Sequence, residues 1–228
     1  MKSGVIVFFT RVPSAGGAKT RLLPLLTPEQ CRVLQNAFIR DIFATLNATS
    51  RKVVVCYTPP GEEEALKKAL GADARPHALL PQRGASLGRK MHNAICDVLE
   101  QGHEACLLLG SDIPLLSAEA VEAGFRQLEG HDVFLSPTED GGYCMIGMKK
   151  PHPELFEMEY GGSSVYDATK RKAEELGLRC AVGAMQWDVD EPQDLLRLKE
   201  LLEREAAPPC PQTRQALADM LRTGRFGR

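Results

Sequence analysis

A single aspartate ends an apolar run in Leu107-Leu108-Leu109-Gly110-Ser111-Asp112-Ile113-Pro114. Pro114 cannot continue a strand, so the run predicts one interior strand with Asp112 at its carboxyl edge. Open α/β sheets bind ligands at that edge, which makes Asp112 a candidate metal ligand, although a lone aspartate there serves equally well to cap a turn or the next helix. Further along, Trp187-Asp188-Val189-Asp190-Glu191-Pro192-Gln193-Asp194-Leu195 sets two aspartates before a proline-initiated helix. Asp190 or Glu191 would suffice as a cap, but an Asp-x-Asp also offers hard oxygens suited to Mg²⁺ or Mn²⁺. If the fold brings Asp112 and Asp190 together, one cation could bridge them to a diphosphate.

Three other segments carry candidate chemistry. Thr10-Arg11-Val12-Pro13-Ser14-Ala15-Gly16-Gly17-Ala18-Lys19-Thr20-Arg21-Leu22 packs two glycines, three basic residues and three hydroxyls into one connection. Gly16 and Gly17 allow the backbone to approach an anion, and Lys19 and Arg21 supply charge, with Arg11 at the loop's entry. The spacing matches neither the P-loop nor Gly-x-Gly-x-x-Gly, and read blandly the segment is a flexible loop with solvated charges. Thr138-Glu139-Asp140-Gly141-Gly142-Tyr143 reads as a Gly-Gly hairpin turn; at the rim of a site it would present Asp140, a candidate general base, to a sugar or acceptor hydroxyl. Gln82-Arg83-Gly84-Ala85-Ser86-Leu87-Gly88-Arg89-Lys90-Met91 opens a helix, with Gln82 able to hydrogen-bond a nucleobase edge, or is a plain loop-to-helix junction. The five histidines lack ligand spacing, and Cys144 reads as a core thiol.

These residues need a scaffold, and the pattern between them describes one. Apolar runs at Val5–Phe9, Val53–Tyr57, Cys106–Leu109, Val133–Leu135 and Tyr143–Met148 alternate mostly with amphipathic stretches, which predicts a mainly parallel, doubly wound sheet in a single-domain α/β chain. Thr27, Pro28 and Gln30 mark a helix start, with Val33, Leu34, Ala37, Phe38 and Ile42 on one face. Further helices are expected over 62–70, 86–99, 117–128, 165–176 and 192–205. Residues 1–205 then form the domain, and 206–228, rich in proline at first, form a tail with a short helix around Ala216–Leu221. The 28 basic and 30 acidic residues nearly balance, giving no global field for nucleic acid or an anionic membrane. Seven cysteines without a Cys-x-x-Cys pair fit reduced thiols in a cytoplasmic protein and no zinc site. Arg11 interrupts the first apolar stretch before a signal sequence or membrane span is complete.

Taken together, the Gly16–Leu22 loop, Gly110-Ser111-Asp112-Ile113-Pro114, Asp140-Gly141-Gly142-Tyr143 and Asp188 to Leu195 resemble the nucleotide-diphospho-sugar transferase superfamily over most of residues 4–200. The chain looks most like a bacterial glycosyltransferase family once labelled a domain of unknown function and associated with arsenosugar biosynthesis. It is also similar to the phospholactate guanylyltransferases, which share the Lys-x-Arg-Leu first loop. The resemblance implies a GT-A-like three-layer α/β/α fold with a nucleotide across the strand ends. It further implies that Lys19 and Arg21 are phosphate countercharges, that Asp112 and Asp190 are the metal pair, and that Gln82 and Gly84 border the base. Asp140, Gly141, Gly142 and Tyr143 would lie toward the transferred sugar or acceptor. Two positions depart from the pattern: Gly161-Gly162-Ser163-Ser164-Val165 replaces a Trp-Ser-Thr element, and the central strand ends in Gly110-Ser111-Asp112 rather than Asp-x-Asp.

The leading expectation is a glycosyltransferase that uses a nucleoside diphosphate sugar and Mg²⁺ or Mn²⁺, with a small-molecule acceptor. The alternative is a nucleotidyltransferase that joins a nucleoside triphosphate to a phosphorylated small molecule and releases pyrophosphate. Both use the same cradle, and charge growing on the leaving phosphates would be stabilised by the cation, Lys19 and Arg21. A third reading keeps the fold as a nucleotide-binding protein without turnover. The nucleobase, the acceptor and the oligomeric state are not specified by these motifs.

Overall fold

The computed structural model describes residues 4–13, 17–204 and 210–222. Seven strands form one sheet: β1 (Gly4–Arg11), β2 (Lys52–Thr58), β3 (Ala78–Pro81), β4 (Ala105–Leu109), β5 (Val133–Pro137), β6 (Tyr143–Met148) and β7 (Cys180–Val182). Their spatial order is β3-β2-β1-β4-β6-β5-β7. β1 pairs in parallel with β2 and β4, as do β2 with β3 and β5 with β7, whereas β6 runs antiparallel to both β4 and β5. The sheet is therefore mainly parallel, as the alternating pattern predicts. The two edge strands, β3 and β7, were not among the expected ones, because four and three residues are too few to display a period.

Alternation along each strand divides the core into two. Ile6 and Phe8 of β1, Val53 and Val55 of β2, and Leu107 and Leu109 of β4 face the helices α1 (Pro28–Asn47), α2 (Glu63–Leu70), α4 (Ala118–Gly130), α6 (Pro192–Leu202) and α7 (Pro211–Arg222). Val5, Val7, Val54 and Leu108 face the other way, onto α3 (Leu87–Leu99) and α5 (Val165–Glu175). This makes the expected three-layer α/β/α arrangement.

The helix starts follow their local chemistry. At α1, Thr27 Oγ1 accepts from Gln30 N at 3.2 Å and Gln30 Oε1 accepts from Thr27 N at 2.8 Å, the reciprocal box that the sequence predicts. Ser86 and Ser117 cap α3 and α4 by accepting from Arg89 N and Ala120 N. The start of α7 depends on a distant residue. Buried Asp41 of α1 accepts from Gln212 N at 3.1 Å and Thr213 N at 2.7 Å, so the helix begins at Pro211, earlier than the expected Ala216, and packs on α1.

Candidate active site

β1 lies between β2 and β4, so successive connections leave it toward opposite edges of the sheet. A crevice at the carboxyl ends of β1 and β4 is the expected consequence. A cavity of about 570 Å³ opens there, within the range of small-molecule sites. Asp112 leaves the end of β4 into it. The loop before α6 is drawn alongside by a backbone hydrogen bond from Val189 N to Asp112 O at 2.8 Å, which brings Asp190 toward Asp112. Residues separated widely in sequence thus meet as the motifs suggested.

Lys19 lies between them. Its backbone is left-handed (φ 52°, ψ 39°), an uncommon conformation for a side-chain-bearing residue, and leads into a 3-10 turn over Thr20–Leu22. That turn of the chain sends the ammonium inward, where the side chain is 2% exposed. Nζ donates to Val189 O at 2.6 Å and Asp190 Oδ1 at 3.3 Å, and lies 2.6 Å from Asp112 Oδ1 and 5.3 Å from the Phe38 ring centroid. An ammonium has three protons, and three protein acceptors match them. Lys19 therefore stands as the counterion of the two carboxylates; in this arrangement it has no donor left for a phosphate. Arg21 is the more available cation of the pair, reaching Asp190 Oδ2 at 3.1 Å from an exposed position.

A third carboxylate joins them. Asp188 lines the same cavity, and its carboxyl is pushed up from 3.8 to about 6, first by burial and then by repulsion from Asp140, with Asp190 and Asp112 adding to it. Sequence put Asp190 forward as the ligand and left Asp188 as its neighbour; the signal that could have found it was the Asp-x-Asp itself. The loop is shaped by Asp194, whose carboxylate accepts from Asp190 N, Glu191 N and Trp187 Nε1 at 3.1, 2.7 and 3.2 Å. Asp194 thus takes the capping work and leaves the Asp190 side chain to Lys19 and Arg21. Several like charges around one ammonium, all hard oxygens, fit a divalent cation chemically. Among the described residues no group of three or more His, Cys, Asp and Glu side chains is placed to hold a metal ion, so the candidate ligands here are a pair, Asp112 and Asp190.

The Gly-Gly turn forms as expected. Asp140 Oδ1 accepts from Thr138 Oγ1 at 2.6 Å and Gly142 N at 2.9 Å, so one oxygen builds the turn and Oδ2 is left over. Gly141, at φ 88°, packs so tightly that a Cβ would lie 2.0 Å from Ser163 O; it serves the turn and is outside the cavity wall, whereas Asp140, Gly142 and Tyr143 line it. The Tyr143 hydroxyl is buried next to Tyr160, and burial raises it well above the ordinary tyrosine range. Burial likewise pushes the Cys144 thiol up to about 12, consistent with an inert thiol.

Arg11, Gly17 and Gln82 line the same cavity from the β1 and β3 ends. Gln82 is buried and its amide donates to Thr10 O and Cys56 O, both at 3.1 Å, tying β1 to β2; only its carbonyl end is left for a ligand. Gly84 lies against the first turn of α3, where a Cβ would approach Arg89 to 3.0 Å, rather than in the wall. Gly16 lies outside the described residues. Ser111, at the departure from Asp-x-Asp, is buried and accepts from Gln35 Nε2 at 2.9 Å, so it supports the strand end.

Residues 41–161, more than half of the chain, match the family model described as "Uncharacterized protein conserved in bacteria (DUF2064)". The chain belongs to the DUF2064 family. This DUF2064 member is 28% identical over 213 residues to the 3-phospho-D-glycerate guanylyltransferase of Phenylobacterium zucineum (strain HLK1), covering 90% of this chain and 91% of the relative. It is 32% identical over 188 residues to the 2-phospho-L-lactate guanylyltransferase of Methanothrix thermoacetophila, covering 81% and 79%. A crystal structure from Desulfovibrio desulfuricans G20, designated a nucleotide-diphospho-sugar transferase, superposes with a TM-score of 0.87 at 27% identity over 97% of this chain and 96% of that one. The expected superfamily, fold and transferase class are borne out. The two named activities are nucleotidyl transfers and favour the second transfer reading over the first. No described helix is long and apolar enough to cross a membrane.

Proposed function

We propose that this protein is a nucleotidyltransferase that uses GTP and a phosphorylated small acid, with a divalent cation. The observation that carries the reading is the meeting of Asp112 and Asp190 on Lys19 at the end of β4, in a cavity that Asp188 and Arg11 also line. The activities of the two guanylyltransferase relatives support it.

In such a transfer a phosphate oxygen of the acceptor attacks the α-phosphorus, the bond to the bridging β-phosphate oxygen breaks, and pyrophosphate leaves with that bonding pair. A phosphate monoester is already largely dianionic at neutral pH, since its second pKa is about 6, so its attacking oxygen needs no general base. This bears on Asp140, whose Oδ1 is occupied by Thr138 and Gly142: we assign it to holding the turn and the local field rather than to proton removal. Asp112 and Asp190 would hold Mg²⁺ or Mn²⁺, which supplies charge neutralisation of the phosphates when bound. Lys19 keeps the carboxylates together, Arg21 supports Asp190 from outside the cavity, Arg11 faces the anion, and Gln82 Oε1 borders the base.

The reading is tested by incubating the protein with GTP, Mg²⁺ or Mn²⁺ and either 3-phospho-D-glycerate or 2-phospho-L-lactate, and in parallel with nucleoside diphosphate sugars. Pyrophosphate together with a guanylylated acid is expected. Nucleoside diphosphate released from a sugar donor, with no pyrophosphate from GTP, would return the site to sugar transfer, and nucleotide binding without either product would make it a binding protein.

A further inference from the structure

We infer that Lys90 on α3, together with Arg11 at the end of β1, is the cationic subsite that grips the polyphosphate of the nucleotide. The inference rests on the nucleotidyl-transfer reading and deepens it by naming where the donor's negative charge is held.

The argument starts from which cations are free. Among the described residues three basic side chains line the cavity: Arg11, Lys19 and Lys90. Lys19, the basic residue to which the first-loop motif points, has its ammonium matched by Asp112, Val189 O and Asp190. Arg21 is outside the wall and paired with Asp190. The side chains of Arg11 and Lys90 have no hydrogen-bond or ion-pair partner among the described residues. Lys90 is half-buried on the wall, between exposed Leu87 and buried Met91, while its neighbour Arg89 faces away from the wall toward Glu157. An unpaired ammonium kept on a partly apolar wall, in a cavity that four aspartates also line, leaves the cavity polarised. Its acidic end gathers at β4 and the loop before α6, and its basic end at β1 and α3.

The topology indicates which ligand meets the basic end. α3 connects β3 to β4 and packs on β1 and β4, the two strands at the switch point, with Gly88 of its first turn against Phe156 and Tyr160. In doubly wound sheets the ligand lies in the crevice at the switch point, here between the carboxyl ends of β1 and β4. The Asp140 turn, toward β5 and β6, is on the other side and is the natural place for the acceptor. A polyphosphate in that crevice, next to Asp112, would set its anionic oxygens on Lys90 and Arg11, which line the same cavity.

The test is calorimetric titration of the wild type, Lys90→Ala and Lys90→Arg with GTP, with guanosine and with 3-phospho-D-glycerate, all in Mg²⁺. A charge-assisted contact to phosphate predicts that Lys90→Ala raises the Kd for GTP roughly tenfold or more, with most of the loss restored by Lys90→Arg. Guanosine and the acceptor should bind all three proteins equally. An unchanged Kd for GTP in Lys90→Ala overturns the inference while leaving the nucleotidyltransferase reading standing. A parallel loss for guanosine also overturns it, by moving Lys90 to the base, and a loss confined to 3-phospho-D-glycerate does so by moving it to the acceptor. Failure of the wild type itself to bind GTP would remove both readings.

Discussion

Lys19 Nζ lies 2.6 Å from Asp112 Oδ1 and equally close to the carbonyl of Val189. One ammonium therefore links the end of β4 to the loop that carries Asp188 and Asp190, and the acidic end of the cavity depends on it.

Replacing Lys19 with methionine tests that dependence. Asp112 and Asp190 remain 45% and 39% exposed and can take up water, so the loss falls short of the 3–5 kcal/mol of a fully buried pair, and about 1–2 kcal/mol is expected in chelator. Added Mn²⁺ should raise the Tm of Lys19→Met more than that of the wild type, because the ion takes over the counterion's work. Differential scanning calorimetry with and without Mn²⁺ checks this; equal metal-induced shifts would mean that Lys19 and the cation do not act on the same carboxylates.

The raised carboxyl of Asp188 makes stability depend on pH. Because its folded value is about 6 against 3.8 ordinarily, the folded chain holds a proton that the unfolded chain has released between those values. The stabilisation that this proton gives is complete below pH 4 and is lost as pH rises through 6. In chelator Asp188→Asn should therefore be more stable than the wild type at pH 7, by roughly 1–2 kcal/mol after allowance for solvent screening, and the two should converge near pH 4. Urea melts at several pH values measure the gap; a constant gap would show that Asp188 is not held in that field.

These charges show what could and could not be read in advance. The strand that ends at Leu109, just before Asp112, the Thr27 box and the Gly-Gly turn were legible because each is a local pattern, set by period or by a residue three positions away. The meeting of Asp112 with Asp190 was legible only as a consequence of the family likeness. The fate of Lys19 was not legible: a lysine in a glycine-bearing loop reads as a phosphate ligand, and only the left-handed backbone at Lys19 and the Val189–Asp112 hydrogen bond turn it into an internal counterion. Asp41 capping α7, and β7 completing the sheet edge, depend likewise on partners remote in sequence.

Arg197 connects two segments of the site from outside it. Its guanidinium meets Glu139 through two hydrogen bonds, at 2.6 and 3.1 Å, and lies 4.3 Å from the centroid of the Trp187 ring. Glu139 adjoins Asp140 and Trp187 adjoins Asp188, so this one side chain fixes the spacing of both carboxylate-bearing loops. Arg197→Ala should cost only about 1 kcal/mol of stability, as expected for an exposed pair with a cation–π contact, but lower kcat/KM by roughly tenfold or more through misplacement. Arg197→Lys should restore little, since an ammonium cannot reproduce the planar fork. Wild-type kinetics in Arg197→Ala would show that the loops hold their spacing unaided.

Asp140 separates the two kinds of transfer most sharply. Under attack by a hydroxyl, removing the general base should cost 10²–10⁴-fold in turnover, by about the contribution such bases make. Under attack by a phosphate dianion no proton is removed, and what Asp140 contributes is the acceptor oxygen that binds Thr138 Oγ1 and Gly142 N. Asparagine keeps that oxygen in place, so Asp140→Asn should preserve the turn and retain turnover within several-fold. Asp140→Ala removes the oxygen, leaves the Gly142 amide and the Thr138 hydroxyl without their acceptor, and should loosen the turn and lower activity more than Asn does. Single-turnover rates of the two variants with GTP and a phosphorylated acid decide between the roles: a large loss in Asp140→Asn with an intact fold would make Asp140 a proton acceptor after all, whereas near-normal chemistry in Asn and a deficit in Ala is what a turn-building carboxylate requires.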